Sequence, residues 1–178
     1  MIITFDGEAG TGKGTLARLL ANALGIPHYD IGLMFRKIAI LNRKLKFCEI
    51  YKLVSLDVPY NDSYLCSEAI GIETAKLAEK YSSTISTIVR AKIKDKDFVC
   101  DGRTVGTEVY PEADIKFFLF CSYQERCRRR NAQLCFRDNL DAKRLKIPEG
   151  AYVINTTNKT PEDLLQEVLY FKKYLLGK

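Results

Sequence analysis

The sequence predicts an α/β fold, a doubly wound parallel sheet with helices on both faces, from three observations. Short apolar runs alternate with segments of helical periodicity along the chain. One run, Ile115–Phe120, is apolar throughout except for Lys116, as in a parallel strand covered on both faces. The first run passes through a glycine-rich turn directly into a helical pattern. Ligands of such a sheet bind at the carboxyl ends of its strands.

Each element has its own signal. Ile2-Ile3-Thr4-Phe5 is a buried strand, and the turn Gly7 to Gly14 follows it. Leu16, Leu19, Leu20, Ala23 and Leu24 then share one helical face. Gly25 stops this helix and Pro27 prevents its restart. His28-Tyr29-Asp30 is a short second strand, and a helix follows from about Leu33 to Leu41. Residues 43–66 mix apolar and turn-forming residues and predict a small excursion, a short helix with a loop. Helical spacing resumes from Ala69 to Tyr81, then through Ile85, Ile88, Val89 and Ile93. Phe98-Val99-Cys100 is a third strand ending at Asp101-Gly102. After the Ile115–Phe120 strand, Ser122-x-x-Glu125 is a capping box opening the next helix. Tyr152-Val153-Ile154 is the last strand. Thr160-Pro161-Glu162-Asp163 opens the last helix, with Leu164, Leu165, Val168 and Leu175 inward.

With 178 residues and 47% hydrophobic content, the chain suits one domain with a sizeable core, residues 1–178. No apolar run is long enough to span a membrane. The apolar start meets Asp6 and Glu8 without the basic lead-in or cleavage site of a signal peptide, so a cytoplasmic protein is expected. Six cysteines without a C-x-x-C pair, and a lone histidine, His28, argue against zinc. Reduced thiols are expected, with Cys100 and Cys121 as small core hydrophobes. The net charge of +6 admits a nucleic acid, an anionic membrane or a phosphate-rich small ligand. Eight lysines and arginines lie between Arg126 and Lys146. A nucleic-acid surface more often spreads its charge and interleaves aromatics, so small-molecule nucleotides are the expected partners of a monomer.

Gly7-Glu8-Ala9-Gly10-Thr11-Gly12-Lys13-Gly14-Thr15 sits between strand and helix, where a phosphate-binding loop must sit. Its glycines let backbone N–H groups converge on phosphate oxygens, and the helix start adds a favourable dipole. Lys13 reaches the β- and γ-phosphates of ATP as a point charge. The usual Ser/Thr after the lysine is Gly14, followed by Thr15, a form that resembles the loop of nucleoside monophosphate kinases.

Beyond this loop the sequence resembles the bacterial cytidylate kinase family over nearly its whole length. Asp30-Ile31-Gly32-Leu33-Met34-Phe35-Arg36 is similar to that family's D-S-G-x-x-Y-R. Asp101-Gly102-Arg103-Thr104-Val105-Gly106-Thr107, with Tyr110-Pro111 and Ala113 after it, resembles D-G-R-D-x-G-T…F-P-x-A. Arg137-Asp138-Asn139-Leu140-Asp141-Ala142-Lys143-Arg144, with Pro148, resembles R-D-x-x-D-x-x-R…P of the family's mobile lid. The resemblance implies an ATP-dependent kinase for CMP or dCMP. It also implies a short acceptor-binding insertion at about 43–66 and a short lid region at about 126–148.

Site roles follow. Gly7, Gly10, Thr11, Gly12, Lys13, Gly14 and Thr15 would bind ATP. Arg36 and Arg103, at or after strand ends, suit an acceptor phosphate because a guanidinium fork binds it bidentately; a solvated helix charge is the lesser alternative for Arg36. Asp30, Gly102 and Thr104 complete the acceptor set, and Asp141 resembles a ribose-contacting aspartate. Asp101 could hold Mg²⁺ directly or through water, with Thr15 beside it; a cap or turn role is the plain alternative. Arg137 and Arg144, about two helical turns apart, would stabilise charge on the transferring phosphoryl group if the segment folds over the loop. Of Arg126 and Arg130, one would help the phosphates. No His–carboxylate pair is evident, and none is required, because an acceptor phosphate oxygen is already ionised at neutral pH.

Two departures from the family pattern bear on the base. Ile31 stands where the family has serine, and Thr104 where it has an aspartate that contributes to reading cytosine. Arg90 is the one candidate for the family's arginines on the preceding helix. Two other functions compete: a kinase for another small acceptor, with Asp30 as base, and an RNA-associated ATPase using the arginine run as a backbone clamp.

Overall fold

The computed structural model describes residues 1–55, 63–130 and 143–176. Its strands are β1 (Ile2–Gly7), β2 (His28–Asp30), β3 (Phe98–Asp101), β4 (Ile115–Phe120) and β5 (Tyr152–Asn155). They form one five-stranded sheet, order β2-β3-β1-β4-β5, with every pair parallel. The helices are α1 (Lys13–Leu24), α2 (Ile31–Asn42), α3 (Phe47–Leu53), α4 (Glu68–Lys92), α5 (Tyr123–Arg130) and α6 (Pro161–Leu176). A single π turn, Val105–Val109, follows β3.

The inner strands β1 and β3 are buried on both faces, while β4, expected to be covered on both, and β5 alternate buried with partly exposed positions. On one face Phe5, Leu16, Leu20, Phe117, Leu164 and Val168 bring α1 and α6 onto β1 and β4. On the other, Phe35, Ile38, Ile85, Val89 and Phe98 bring α2 and α4 onto β3. Phe5 and Phe117 stack with centroids 4.9 Å apart. A fully buried side chain of this size contributes about 1.5–3 kcal/mol by leaving water. Cys100 and Cys121 are buried thiols, as expected.

Helix α2 begins at Ile31 rather than Leu33, because Asp30 caps it: its carboxylate accepts from Leu33 N at 2.8 Å. Helix α4 runs through both expected periodic stretches, with a break at Tyr81 where they meet (φ −130°, ψ 24°). Helix α3 is the short helix expected in the excursion; residues 56–62 lie outside the described residues. Ser122 caps α5 through Glu125 N at 3.3 Å, but the capping box is only half made. Glu125 turns instead to Arg128 and Arg129, and Ser122 N donates to Thr157 Oγ1.

The π turn was not predicted. Buried Asp6 holds it from the central strand, its two carboxylate oxygens each accepting at 2.6 Å from Val105 N and Gly106 N. Gly106 is required there: an added Cβ would stand 2.8 Å from Asp6 Oδ2 and 2.9 Å from Pro148 Cγ. Of the expected lid, residues 131–142, with Arg137 and Asp141, lie outside the described residues, while Lys143 and Arg144 form a turn rather than helix.

Candidate active site

The glycine-rich loop leaves the carboxyl end of β1 at the centre of the sheet. Gly7, Gly10 and Gly12 all adopt positive φ (147°, 82° and 87°), which other residues resist. At Gly7 a Cβ would stand 2.2 Å from Leu119 O, so the loop lies against β4. Thr11 is fully buried and donates to Glu8 O at 2.9 Å, and Lys13 Nζ donates to the same carbonyl at 3.1 Å. Helix α1 starts at Lys13 without a side-chain cap, so its first N–H groups and dipole are available to an anion.

The loop is braced from the carboxyl-terminal part of the chain. Thr156, just beyond β5, donates through Oγ1 to Thr11 O at 2.9 Å. Arg129 donates to Thr156 O at 2.7 Å and to Thr156 Oγ1 at 3.1 Å. Buried Arg126 reaches Ala9 O and the Glu8 carboxylate, both at 3.4 Å, and lies over the Tyr123 ring. The sequence did not single out Arg129 or Thr156. Their role depends on which side of α5 and which end of β5 meet the loop, and no local pattern records that.

Beside the loop lies a recess of about 420 Å³ whose polar lining includes Lys13, Asp30, Arg36, Asp101, Arg103 and Arg130. Arg36 is buried, not a solvated helix charge; it donates to Leu65 O at 2.6 Å, and burial lowers its proton affinity. The Asp30 carboxyl is pushed up to about 6, by burial first and then by the Asp101 charge. A second recess of about 810 Å³ opens on the other side of the loop and includes Gly12, Thr15, Arg129, Arg130 and Lys159. Arg130 thus lines both, and Thr15 faces the second recess while Asp101 faces the first.

Asp101 is involved in a His–carboxylate pair that the sequence hid. His28 Nε2 lies 2.8 Å from Asp101 Oδ1, although 73 positions separate them. The parallel register brings them together, with Asp30 opposite Asp101 and His28 opposite Val99. The other carboxylate oxygen faces Gly14, where a Cβ would come within 3.3 Å of it. Glycine at this position therefore leaves Asp101 room beside the start of α1.

A narrow slot, about 50 Å³, adjoins the first recess, and Gly32, Gly102 and Arg103 belong to both. Ile31, Phe35, Ala78 and Val105 wall it, and Thr104 and Arg144 supply polar groups. Arg144, expected over the transferring phosphoryl group, stands at this slot. It pairs with Glu108 on the π turn at 2.5 Å and donates to Ser82 Oγ at 3.2 Å. Arg90 lines neither recess: it pairs with Glu112 at 2.5 Å and lies over the Tyr110 ring.

An amide-lined anion cradle with a buried arginine recess beside it defines a P-loop phosphotransferase acting on a phosphate-bearing small acceptor. Solved structures share the fold. A shikimate kinase from Bacteroides thetaiotaomicron superposes with TM-score 0.55, at 16% identity over 100% of this chain and 99% of that one. TT1252 from Thermus thermophilus does so with TM-score 0.52, at 18% identity over 96% of each. The family model of cytidylate kinase matches residues 3–80 and 60–173, and the chain belongs to the cytidylate kinase family, the nucleoside monophosphate kinases. The cytidylate kinase of Aquifex aeolicus is 32% identical over 209 aligned positions, 95% of this chain and 94% of that protein. That of Caldicellulosiruptor saccharolyticus is 34% identical over 98% of this chain and 96% of that protein. The first alignment opens gaps in this chain, since its 209 positions exceed the 178 residues present.

Proposed function

We propose that the chain transfers the γ-phosphoryl group of ATP to CMP or dCMP. The observation that carries this is one recess holding the cradle's Lys13 together with Arg36, Arg103 and Arg130. ATP lies with its triphosphate in the cradle and its nucleoside toward the second recess. Arg36 and Arg103 hold the acceptor phosphate as guanidinium forks. One ionised acceptor oxygen forms a bond to the γ-phosphorus as the bond from that phosphorus to the β,γ-bridging oxygen breaks, and ADP leaves. No proton has to be removed, so the site works by positioning and charge neutralisation. Lys13 and Arg130 supply positive charge where the two phosphate groups meet.

Asp101 would hold Mg²⁺, with Thr15 a weaker candidate because it faces the other recess. Magnesium keeps several waters and phosphate oxygens and needs only one or two protein carboxylates. Asp101, whose second carboxylate oxygen faces the start of α1 beside Gly14, fits that demand. When bound, the ion neutralises charge on the phosphate oxygens. Arg137 and Asp141 keep the roles the family resemblance implies, on the phosphoryl group and the ribose. A short acceptor insertion at about 43–66 and a short lid at about 126–148 belong to this reading. We place the enzyme in the cytoplasm as a monomer; no described helix is long and apolar enough to cross a membrane.

A coupled assay of ADP release over CMP, dCMP, UMP, AMP and GMP tests the reading. CMP and dCMP should be the best acceptors, and silence with every pyrimidine monophosphate would overturn it. One observation favours an alcohol acceptor instead: the Asp30 carboxyl, at about 6, is poised as a base. Against it, Asp30 already caps α2. Phosphorylation of a neutral alcohol in the same assay, lost in Asp30→Asn, would favour that reading.

A further inference from the structure

His28 reaches the site only through Asp101. It lines neither of the two recesses nor the slot, whereas Asp101 lines the first recess. Both side chains are largely enclosed, 14% and 6% exposed. A carboxylate only accepts, so the 2.8 Å contact makes His28 Nε2 the donor and Asp101 Oδ1 the acceptor. That bond leaves Oδ2 as the oxygen beside Gly14, at the start of α1 and next to the phosphate cradle.

The position of Asp101 calls for a tether. It stands directly opposite Asp30 in the parallel register, and both carboxylates line the first recess. Like charges facing each other across a pair of strands repel. Asp30 is tied down separately, its Oδ1 accepting from Leu33 N at 2.8 Å. His28 lies two positions before Asp30 on β2, so the alternation of a strand puts its side chain on the same side of the sheet as both carboxylates. Each carboxylate thus has its own donor, Asp30 from α2 and Asp101 from β2.

We propose that His28 is a positioning residue for magnesium: by holding Oδ1 it fixes the Asp101 carboxylate in the orientation that turns Oδ2 toward the ion and the phosphates of ATP. The assignment rests on the reading of Asp101 as the magnesium carboxylate. An outer hydrogen-bond partner of this kind orients the ligand, and its loss costs about 10–100-fold in metal affinity or activity. His28 stands outside the acceptor recess, so KM for CMP should stay near the wild-type value while the metal requirement rises.

Metal binding is read directly, from the free Mn²⁺ signal in electron paramagnetic resonance, on the full chain with adenylyl imidodiphosphate present. The proteins are wild type, His28→Gln, His28→Leu and Asp101→Asn. Glutamine keeps a donor at the place of Nε2, and leucine keeps the bulk without the donor. His28→Leu should weaken Mn²⁺ binding about 10–100-fold and raise the Mg²⁺ concentration for half-maximal ADP release to match, while His28→Gln should stay close to wild type. Thermal melts without metal or nucleotide check that the variants fold. Should His28→Leu fail to fold, His28→Asn, whose amide falls short of Asp101, takes its place with the same expectation. Wild-type affinity for Mn²⁺ in a folded variant lacking the donor, or equal losses with and without it, would overturn the assignment. If Asp101→Asn also binds Mn²⁺ as wild type does, the magnesium reading of Asp101 falls and takes this assignment with it. The Mn²⁺ measurement needs no acceptor. A chain that binds the metal through His28 and Asp101 yet releases no ADP with any pyrimidine monophosphate would sink the pyrimidine kinase reading and leave this assignment standing.

Discussion

Asp6 sits inside the sheet and is pulled in opposite directions. Burial favours its protonated form, two backbone N–H groups at 2.6 Å favour the carboxylate, and burial wins, raising its pKa from 3.8 to about 6. Between those values the folded chain binds more protons than the unfolded one. Its contribution is therefore full below about 4 and is lost as pH rises through about 6. Asp30 acts in the same sense. Asp6→Asn should shrink, without abolishing, the loss of urea stability between pH 4 and pH 6. Its amide also sets a donor against a backbone donor, which should cost about 1–3 kcal/mol at any pH. Lys13→Ala is a different kind of change, since that side chain reaches from a loop carbonyl into the recess rather than into the core. It should lower kcat by about two to three orders of magnitude with little change in melting temperature. Near-normal turnover in a coupled assay would remove Lys13 from the catalytic set.

Among the elements, the π turn has the tightest fit. Gly106→Ala would press a methyl group against Asp6, Pro148 and Thr4, all within 2.9 Å of it. Overpacking of that kind costs roughly 1–3 kcal/mol, or several degrees in a thermal melt for a chain of this size. It should also raise KM for CMP more than for ATP, because Arg103 and Thr104 precede the turn while the loop lies across β1. This turn marks where the sequence stops being legible. The strands and the helices α1 and α6 are written in local periodicity, and the phosphate loop in its glycines and lysine. The π turn has five residues, too few for any period, and its anchor Asp6 lies 99 positions from Val105. The His28–Asp101 pair is hidden for the same reason. Only the parallel register of β2 on β3 brings its two members together. The arginines of α5 were visible as charge, but their inward use was not, since a short helix with only Tyr123 and Cys127 as apolar positions gives little to orient it.

At the scale of the whole molecule, part of the positive charge of α5 is turned inward. Arg126 and Arg129 hold the phosphate loop, while Arg128 stays exposed and pairs with Glu125 at 2.7 Å. An RNA clamp would need those groups outward, so anisotropy titrations with single-stranded RNA should show only weak binding at 150 mM salt, and ADP release should require an acceptor. Nucleotides, by contrast, should stabilise the fold: CMP at about a hundred times its Kd adds about 2.7 kcal/mol, a shift of several degrees in a thermal scan. The strut from Thr156 to Thr11 has a consequence for how the protein comes into being. A nascent polypeptide completed through the arginine helix already owns every glycine of the cradle, its lysine and the arginines that reach it, yet the strut to Thr11 and the anchor of Arg129 on Thr156 are both missing. Competence to grip ATP should therefore arrive late in synthesis, when the last strand emerges and its threonine engages. A ribosome-bound intermediate halted before that point should fail to retain the nucleotide, although its first strand and helix are already made.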